Sequence, residues 1–338
     1  MAFQASQPFS HYLKCMALAR KYGFDMLQVY DDLMFKPAWS VLFTISLQMT
    51  PGDRFTIGPG VVNPYHMHPA LIATNLACLS EETSGRAFLM IGRGAFHDLV
   101  CLTPERPLAG IRDCVEIVGN ILSGGREDYN GKVFRARAGV QLRWKAERGL
   151  TPRAQPPIWI GSWGARTCEL AGRMRSVAGV MISSVTDPRY VRFLSEKVAY
   201  GAKSVRRDPR EVEVGCVLGT IVSEDRDEAQ RFAREASAVY LPYLDPMPDL
   251  LGISKDEVSS VRAACANGDF KLASSLVSDR SVDSFKLWGT PDDLVGKIEK
   301  LIENGTGVER INFGFGRGPE DIEAIELLGR KVLLHFHK

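Results

Sequence analysis

The 338-residue sequence predicts a (β/α)8 barrel, a single α/β domain with insertions at the C-terminal face of its strands. Short apolar, β-rich runs alternate with longer stretches of helical period, which is the mark of βαβ units around a parallel sheet. Eight such runs can be counted, each followed by a helix. The length fits the roughly 250 residues that such a barrel takes, with room for insertions.

The strands are expected at 2–6, 26–30 ("MLQVY"), 55–61 ("FTIGPGV"), 87–92 ("AFLMIG"), 157–161 ("PIWIG"), 177–183 ("VAGVMIS"), 211–222 ("EVEVGCVLGTIV") and 310–315 ("RINFGF"). The first is polar and terminal, and therefore the weakest member. Helices are expected near 9–22, 37–48, 69–82, 108–123, 164–173, 187–203, 290–304 and 319–335. In helix 69–82, Ala70, Ala73 and Ala77, with Leu76 and Leu79 one turn over, form an apolar stripe, and Pro69 suits the first turn. Helix 290–304 opens with "GTPDD", where Thr290 can cap, Pro291 takes the first position, and acidic residues meet the positive end of the dipole. Two segments break the alternation. Residues 125–156 contain "YNGKVF", whose Asn-Gly signals a hairpin turn. Residues 224–286 look helical and fall between the seventh strand and its helix. Insertions at this face usually shape a substrate pocket, as would the loops 93–107, 125–156 and 240–286.

With 45% hydrophobic and 24% charged residues the composition is that of a globular protein. A net charge of +2, with no basic tract interleaved with aromatics, argues against nucleic acid as a partner. Seven cysteines, odd in number and without a CxxC, read as buried thiols in a reducing compartment rather than as a disulfide or metal framework. The N-terminal stretch lacks the charge and apolar core of a secretory signal, and "WSVLFTI" is far shorter than the ~20 residues of a membrane helix. A cytoplasmic protein is expected.

The stretch "GPGVVNPYHMHPA" (58–70) places glycines, prolines and two histidines where the third strand hands over to its helix. Together with "LSEETSGRAFLMIGRG" (79–94) it resembles the bacterial luciferase-like superfamily, and most closely the branch of coenzyme F420-dependent methylenetetrahydromethanopterin reductases. That branch reads "GPGVTNPYxRHP" and then "LDEISGGRxxLGIGxGD". The resemblance continues through "ALARKYGFDMLQVYDD", "PLAGIRDCVEIVGNILSGG", "PPIWIGSWGARTCELAGR" and "GTPDDLVGKIEKLIENG". It implies a non-proline cis peptide between Gly60 and Val61 that bulges against the central ring of a flavin or deazaflavin, with Asn63 as a further cofactor contact. It also implies that the cofactor phosphate lies at "GSWGA" (Gly161, Ser162, Trp163, Gly164, Ala165), aided by Ser183 and Ser184 at the end of the sixth strand. Small residues opening a helix expose backbone N–H groups to an anion.

Relatives often carry an Asp–His pair at the end of the second strand; here Asp31 and Asp32 stand there, and Asp32 matches the histidine. A buried carboxylic acid with a raised pKa can donate a proton, so Asp32 is the catalytic candidate, the alternative being a solvated or helix-capping role. His11, where the first strand meets its helix, is a second candidate at the pocket rim, or else a surface residue. In "GRGAFHDL", Ala95 takes the position where the reductases carry an acid, and Asp98 comes three later. His66 and His68 alternate like metal ligands but have no companion nearby in the sequence, so they are expected to flank the cofactor or cap the third helix, with no metal. His335 and His337 are assigned no role. The resemblance implies an F420-dependent oxidoreductase passing hydride to or from a small organic substrate. The alternatives are an FMN-dependent monooxygenase, in which Arg166 would meet the phosphate, and a non-catalytic flavin-binding relative. A homodimer through the second and third helices, and a reductase supplying reduced cofactor, are expected partners.

Overall fold

The structure, a computed structural model, describes residues 1–145, 148–151, 155–316 and 320–336, without the side chains of Asp98 and Leu99. Its strands and helices follow one another in the parallel order of a (β/α)8 barrel, as the sequence predicts. The chain divides into two compact units, Met1–Met181 with Glu196–Val214 and Ile182–Ser195 with Gly215–Lys338.

The first unit runs β1 (Ala2–Phe3), α1 (Phe9–Tyr22), β2 (Met26–Val29), α2 (Ala38–Ser46), β3 (Thr56–Val62), α3 (Pro69–Glu82), β4 (Leu89–Ile91), α4 (Pro107–Leu122), a hairpin of β5 (Tyr129–Asn130) and β6 (Arg135–Ala136), β7 (Ile158–Ser162) and α5 (Ala165–Arg173). β2 has no exposed residue, as expected of a parallel strand covered on both faces. Its register places Gln28 beside both Ala2 and Gly58. α3 starts where Pro69 predicts, and His68 caps it, its Nδ1 accepting from the Ala70 N–H at 3.2 Å. Ile72, Ala73, Leu76, Ala77 and Leu79 are its buried face. Burying each large aliphatic side chain of such a stripe contributes about 1.5–3 kcal/mol.

The hairpin is clamped to α4 by one buried carboxylate. Asp113 accepts from the Tyr129 hydroxyl at 3.0 Å and from the Val133 and Phe134 N–H groups at 2.7 and 3.1 Å. Phe134 is thereby set against Tyr65 and His68, with ring centroids 5.6 and 6.0 Å apart.

β8 (Gly179–Ser183), α6 (Pro188–Ser204) and β9 (Glu213–Val222) cross the division between the units. The second unit continues with α7 (Arg226–Tyr240), α8 (Met247–Leu250), α9 (Lys255–Ala266), α10 (Phe270–Leu276), α11 (Asp279–Phe285), β10 (Lys286–Gly289), α12 (Pro291–Glu303), β11 (Arg310–Phe315) and α13 (Asp321–Leu327). Residues 224–286 are thus largely helical. β10 is a strand that the sequence pattern does not announce. It pairs in parallel with the far end of β9, Lys286 beside Gly219 and Trp288 beside Ile221. α12 has the cap its sequence promises: Thr290 Oγ1 accepts from the Asp293 N–H and the Asp293 carboxylate accepts from the Thr290 N–H at 3.0 Å. The predicted helix at 319–335 begins at a residue outside those described, as does His337.

Four cysteines are buried as expected, but Cys78 and Cys265 are half-buried and Cys101 is exposed. Among the described residues no helix is long and apolar enough to cross a membrane.

Candidate active site

The Gly60–Val61 peptide bond at the end of β3 is cis, and the pairing of β3 with β4 shifts register across it. Two features hold it. The Gly60 carbonyl accepts from the buried Gln28 Nε2 at 2.7 Å, which satisfies the one polar side chain of β2. The half-buried Val61 side chain rests on two glycines at the ends of neighbouring strands. A Cβ on Gly92 would come within 3.0 Å of the Val61 side chain, and one on Gly161 would come 2.3 Å from its Cγ1. Carbon atoms pack at about 3.5–4.0 Å, so neither position admits a side chain without moving Val61.

Past the bulge, Asn63 is buried and its Oδ1 accepts from the Tyr65 and His66 N–H groups at 2.9 and 3.0 Å. Its Nδ2 meets His66 Nδ1 at 2.8 Å. His66 Nε2 lies 3.2 Å from Nδ1 of the buried His97, whose Nε2 lies 2.9 Å from the Arg93 carbonyl. Burial first, and the nearby His97 second, lower the His66 pKa. A third histidine, distant in the sequence, therefore stands beside His66, in hydrogen-bonding rather than ligating geometry. His68 points into a cap instead. Among the described residues no group of three or more His, Cys, Asp or Glu side chains is arranged to hold a metal.

At the end of β2 the two aspartates divide their roles. Asp31 Oδ1 accepts from the Ala38 N–H at 3.1 Å and so caps α2. Asp32 makes no such bond, and burial, with the Asp31 charge adding to it, pushes its pKa up to about 6. His11, in the first turn of α1, is buried rather than on the surface, and its Nε2 has no hydrogen-bond partner. Burial, and secondarily Lys14, lower its pKa. His11 and Asp32 are not hydrogen-bonded to each other.

In "GSWGA", Gly161 and Ser162 are still strand, and α5 begins at Ala165. Ser162 Oγ accepts from the Gly164 N–H at 2.9 Å, which folds Trp163 and Gly164 into a tight turn. Gly164, the N-cap, offers no side-chain oxygen to the first turn of α5, which also has no acidic residue. Gly161 has a second use that sequence reasoning missed, as the seat of Val61. Ser183 closes β8 and Ser184 follows it with φ 59°, its N–H donating to the Val217 carbonyl at 3.0 Å. Sequence reasoning also missed Gln28, Gly92 and His97. A lone glutamine inside an apolar barrel strand was the available signal for the first; nothing in the sequence pairs His97 with His66. Ala95 is half-buried, and the Asp98 side chain lies outside the described residues.

Residues 2–308 match the luciferase-like monooxygenase family. The chain is 29% identical over 323 residues to the 5,10-methylenetetrahydromethanopterin reductase of Archaeoglobus fulgidus, covering 94% of this chain and 92% of that one. It is likewise 29% identical over 332 residues to the enzyme of that name from Methanolobus tindarius, covering 96% and 95%. The solved structure of the coenzyme F420-dependent tetrahydromethanopterin reductase of Methanopyrus kandleri matches with a TM-score of 0.87 at 25% identity, over 99% of this chain and 98% of that one. A family match across more than nine-tenths of the residues, joined to a fold shared over the full length, places this chain in the luciferase-like monooxygenase family.

Proposed function

We propose that this chain is an F420-dependent oxidoreductase that passes hydride between the deazaflavin and an electrophilic carbon of a small organic substrate. The observation that carries this reading is the register shift at Gly60–Val62, which leaves Val61 half-buried on Gly92 and Gly161. It presents a fixed apolar ridge of the kind a planar tricyclic ring can lie against. Two more features suit the same group: the first turn of α5 has no side-chain cap to compete with a phosphate, and His11 Nε2 is a buried polar atom without a partner. When bound, the deazaflavin supplies hydride transfer without activation of oxygen.

The chain's own residues do the rest. Gln28 and Asn63 hold the bulge and its exit. The free N–H groups at the start of α5, at Ala165 and Arg166, would hold the cofactor's phosphate. Asp32, protonated below about pH 6, holds a proton for the substrate. The relatives' named substrate is a methylene-pterin, and Ala95 replaces the acid of their motif, so the substrate is expected to be a C=C, C=N or carbonyl compound that takes its proton from Asp32. The protein is read as cytoplasmic and homodimeric, with Leu47 and Leu71 exposed at α2 and on α3, and as receiving reduced cofactor from a separate reductase.

The test is anaerobic turnover of reduced F420 against a panel of such acceptors, beside oxygen uptake with reduced FMN. Acceptor-dependent oxidation of reduced F420 supports the reading. Substrate-coupled oxygen uptake with FMN, or binding of F420 without turnover of any acceptor, refutes it.

A further inference from the structure

The hydrogen bonds that leave Asn63 run in one direction only. Asn63 Oδ1 is committed to two backbone N–H groups, so its Nδ2 is the donor that faces His66. His66 Nδ1 must then accept, its proton must sit on Nε2, and that N–H points at His97 Nδ1. His97 Nδ1 accepts in turn, which leaves its Nε2–H to donate to the Arg93 carbonyl. The Tyr65 ring stands edge-on to His97 with centroids 6.1 Å apart and an interplanar angle of 80°. The chain begins at the exit of β3 and ends in the loop after β4, the two segments that flank Val61.

We propose that His66 and His97 are positioning residues that tie the exit of the Gly60–Val61 bulge to the loop after β4 through a one-way hydrogen-bond chain. That chain admits only the neutral Nε2–H tautomer of both rings. Any other protonation state sets two donors against each other, at Asn63–His66 or at His66–His97, and parts the two segments. This inference rests on the proposed function for what the pair positions, but the state of the rings does not depend on it.

The test therefore has two arms. In the first, long-range proton–nitrogen correlation spectra of 15N-histidine-labelled protein without cofactor, assigned with His66→Asn and His97→Asn, read the tautomers at neutral pH. Both rings are expected as neutral Nε2–H forms; an imidazolium or an Nδ1–H form in either overturns the proposal. In the second, F420 is titrated into folded variants. His66→Asn keeps an acceptor at the δ position for Asn63 but is too short to reach His97, and is expected to bind about threefold more weakly than the parent, whereas His66→Leu breaks both links and is expected to bind about tenfold more weakly or worse. Parental affinity in His66→Leu overturns the proposal. If the parent itself fails to bind F420, the functional reading falls and the spectra alone decide the hydrogen-bond chain.

Discussion

Replacing Gly161 with alanine sets a methyl group against the seat of Val61. The new carbon would lie 2.3 Å from Val61 Cγ1 and 3.3 Å from Met90 Sδ. Against a normal contact of about 3.5–4.0 Å the overlap with Val61 exceeds about 1 Å, and β4 and β7 are paired residue by residue at this level. The strands cannot part, so Val61 must swing off its seat. Overpacking of this kind costs about 1–3 kcal/mol, part in stability and part in the shape of the ridge. F420 affinity is expected to fall by about tenfold or more, read by quenching of cofactor fluorescence. Gly92→Ala, where the approach is 3.0 Å, is expected to be milder. Removing Cγ1 should relieve the clash, so Gly161→Ala with Val61→Ala is expected to lose less stability than the sum of the two single changes. Parental F420 affinity in Gly161→Ala, or strict additivity in the double variant, would refute the role given to these glycines.

Other expected outcomes follow from the same geometry. Asp32 has a folded-state pKa above the ordinary carboxylate value, so ionising it opposes folding: the penalty is absent where both states are protonated, below about pH 4, and complete above about 6. Asp32→Asn should therefore raise the melting temperature at about pH 8 and leave it nearly unchanged at about pH 4, an effect of about 1–2 kcal/mol after solvent screening. For the same reason the rate in the proton-donating direction should fall as pH rises through about 6, and Asp32→Asn should be slow at every pH. Asp113→Ala should release the hairpin, seen as faster hydrogen exchange at the Val133 and Phe134 amides with little change in the barrel strands. Arg207→Leu should destabilise by about 3 kcal/mol in urea unfolding, because the buried guanidinium donates to the carbonyls of Met174, Val177 and Glu211.

Much of this molecule is legible in the sequence where local chemistry and tertiary need agree. α1 and α3 begin and end where their patterns place them, and Thr290 caps α12 as "TPDD" promises. The glycine and proline cluster at 58–64 marks the bulge. β10 escaped because a four-residue run opening on a lysine does not stand out after a helix; Lys286 is buried there all the same, its amine pushed down to about 8 by burial. The partners of site residues are the least legible. Gly161 looks like part of an anion loop and also serves Val61, far away in the sequence. His66 looks paired with His68, two positions on, but it meets His97, because a turn at Asn63 and a strand of barrel intervene. Such contacts depend on strand register, which periodicity does not report.

The binding of F420 and FMN to the purified, cofactor-free protein, in parallel anaerobic titrations followed by fluorescence, tests the ring site proposed at Gly60, Val61, Gly92 and Gly161. Micromolar or tighter binding of F420, weakened in Gly161→Ala and stronger than that of FMN, is the expected result. Equal or tighter binding of FMN, or F420 affinity indifferent to Gly161→Ala, would contradict it.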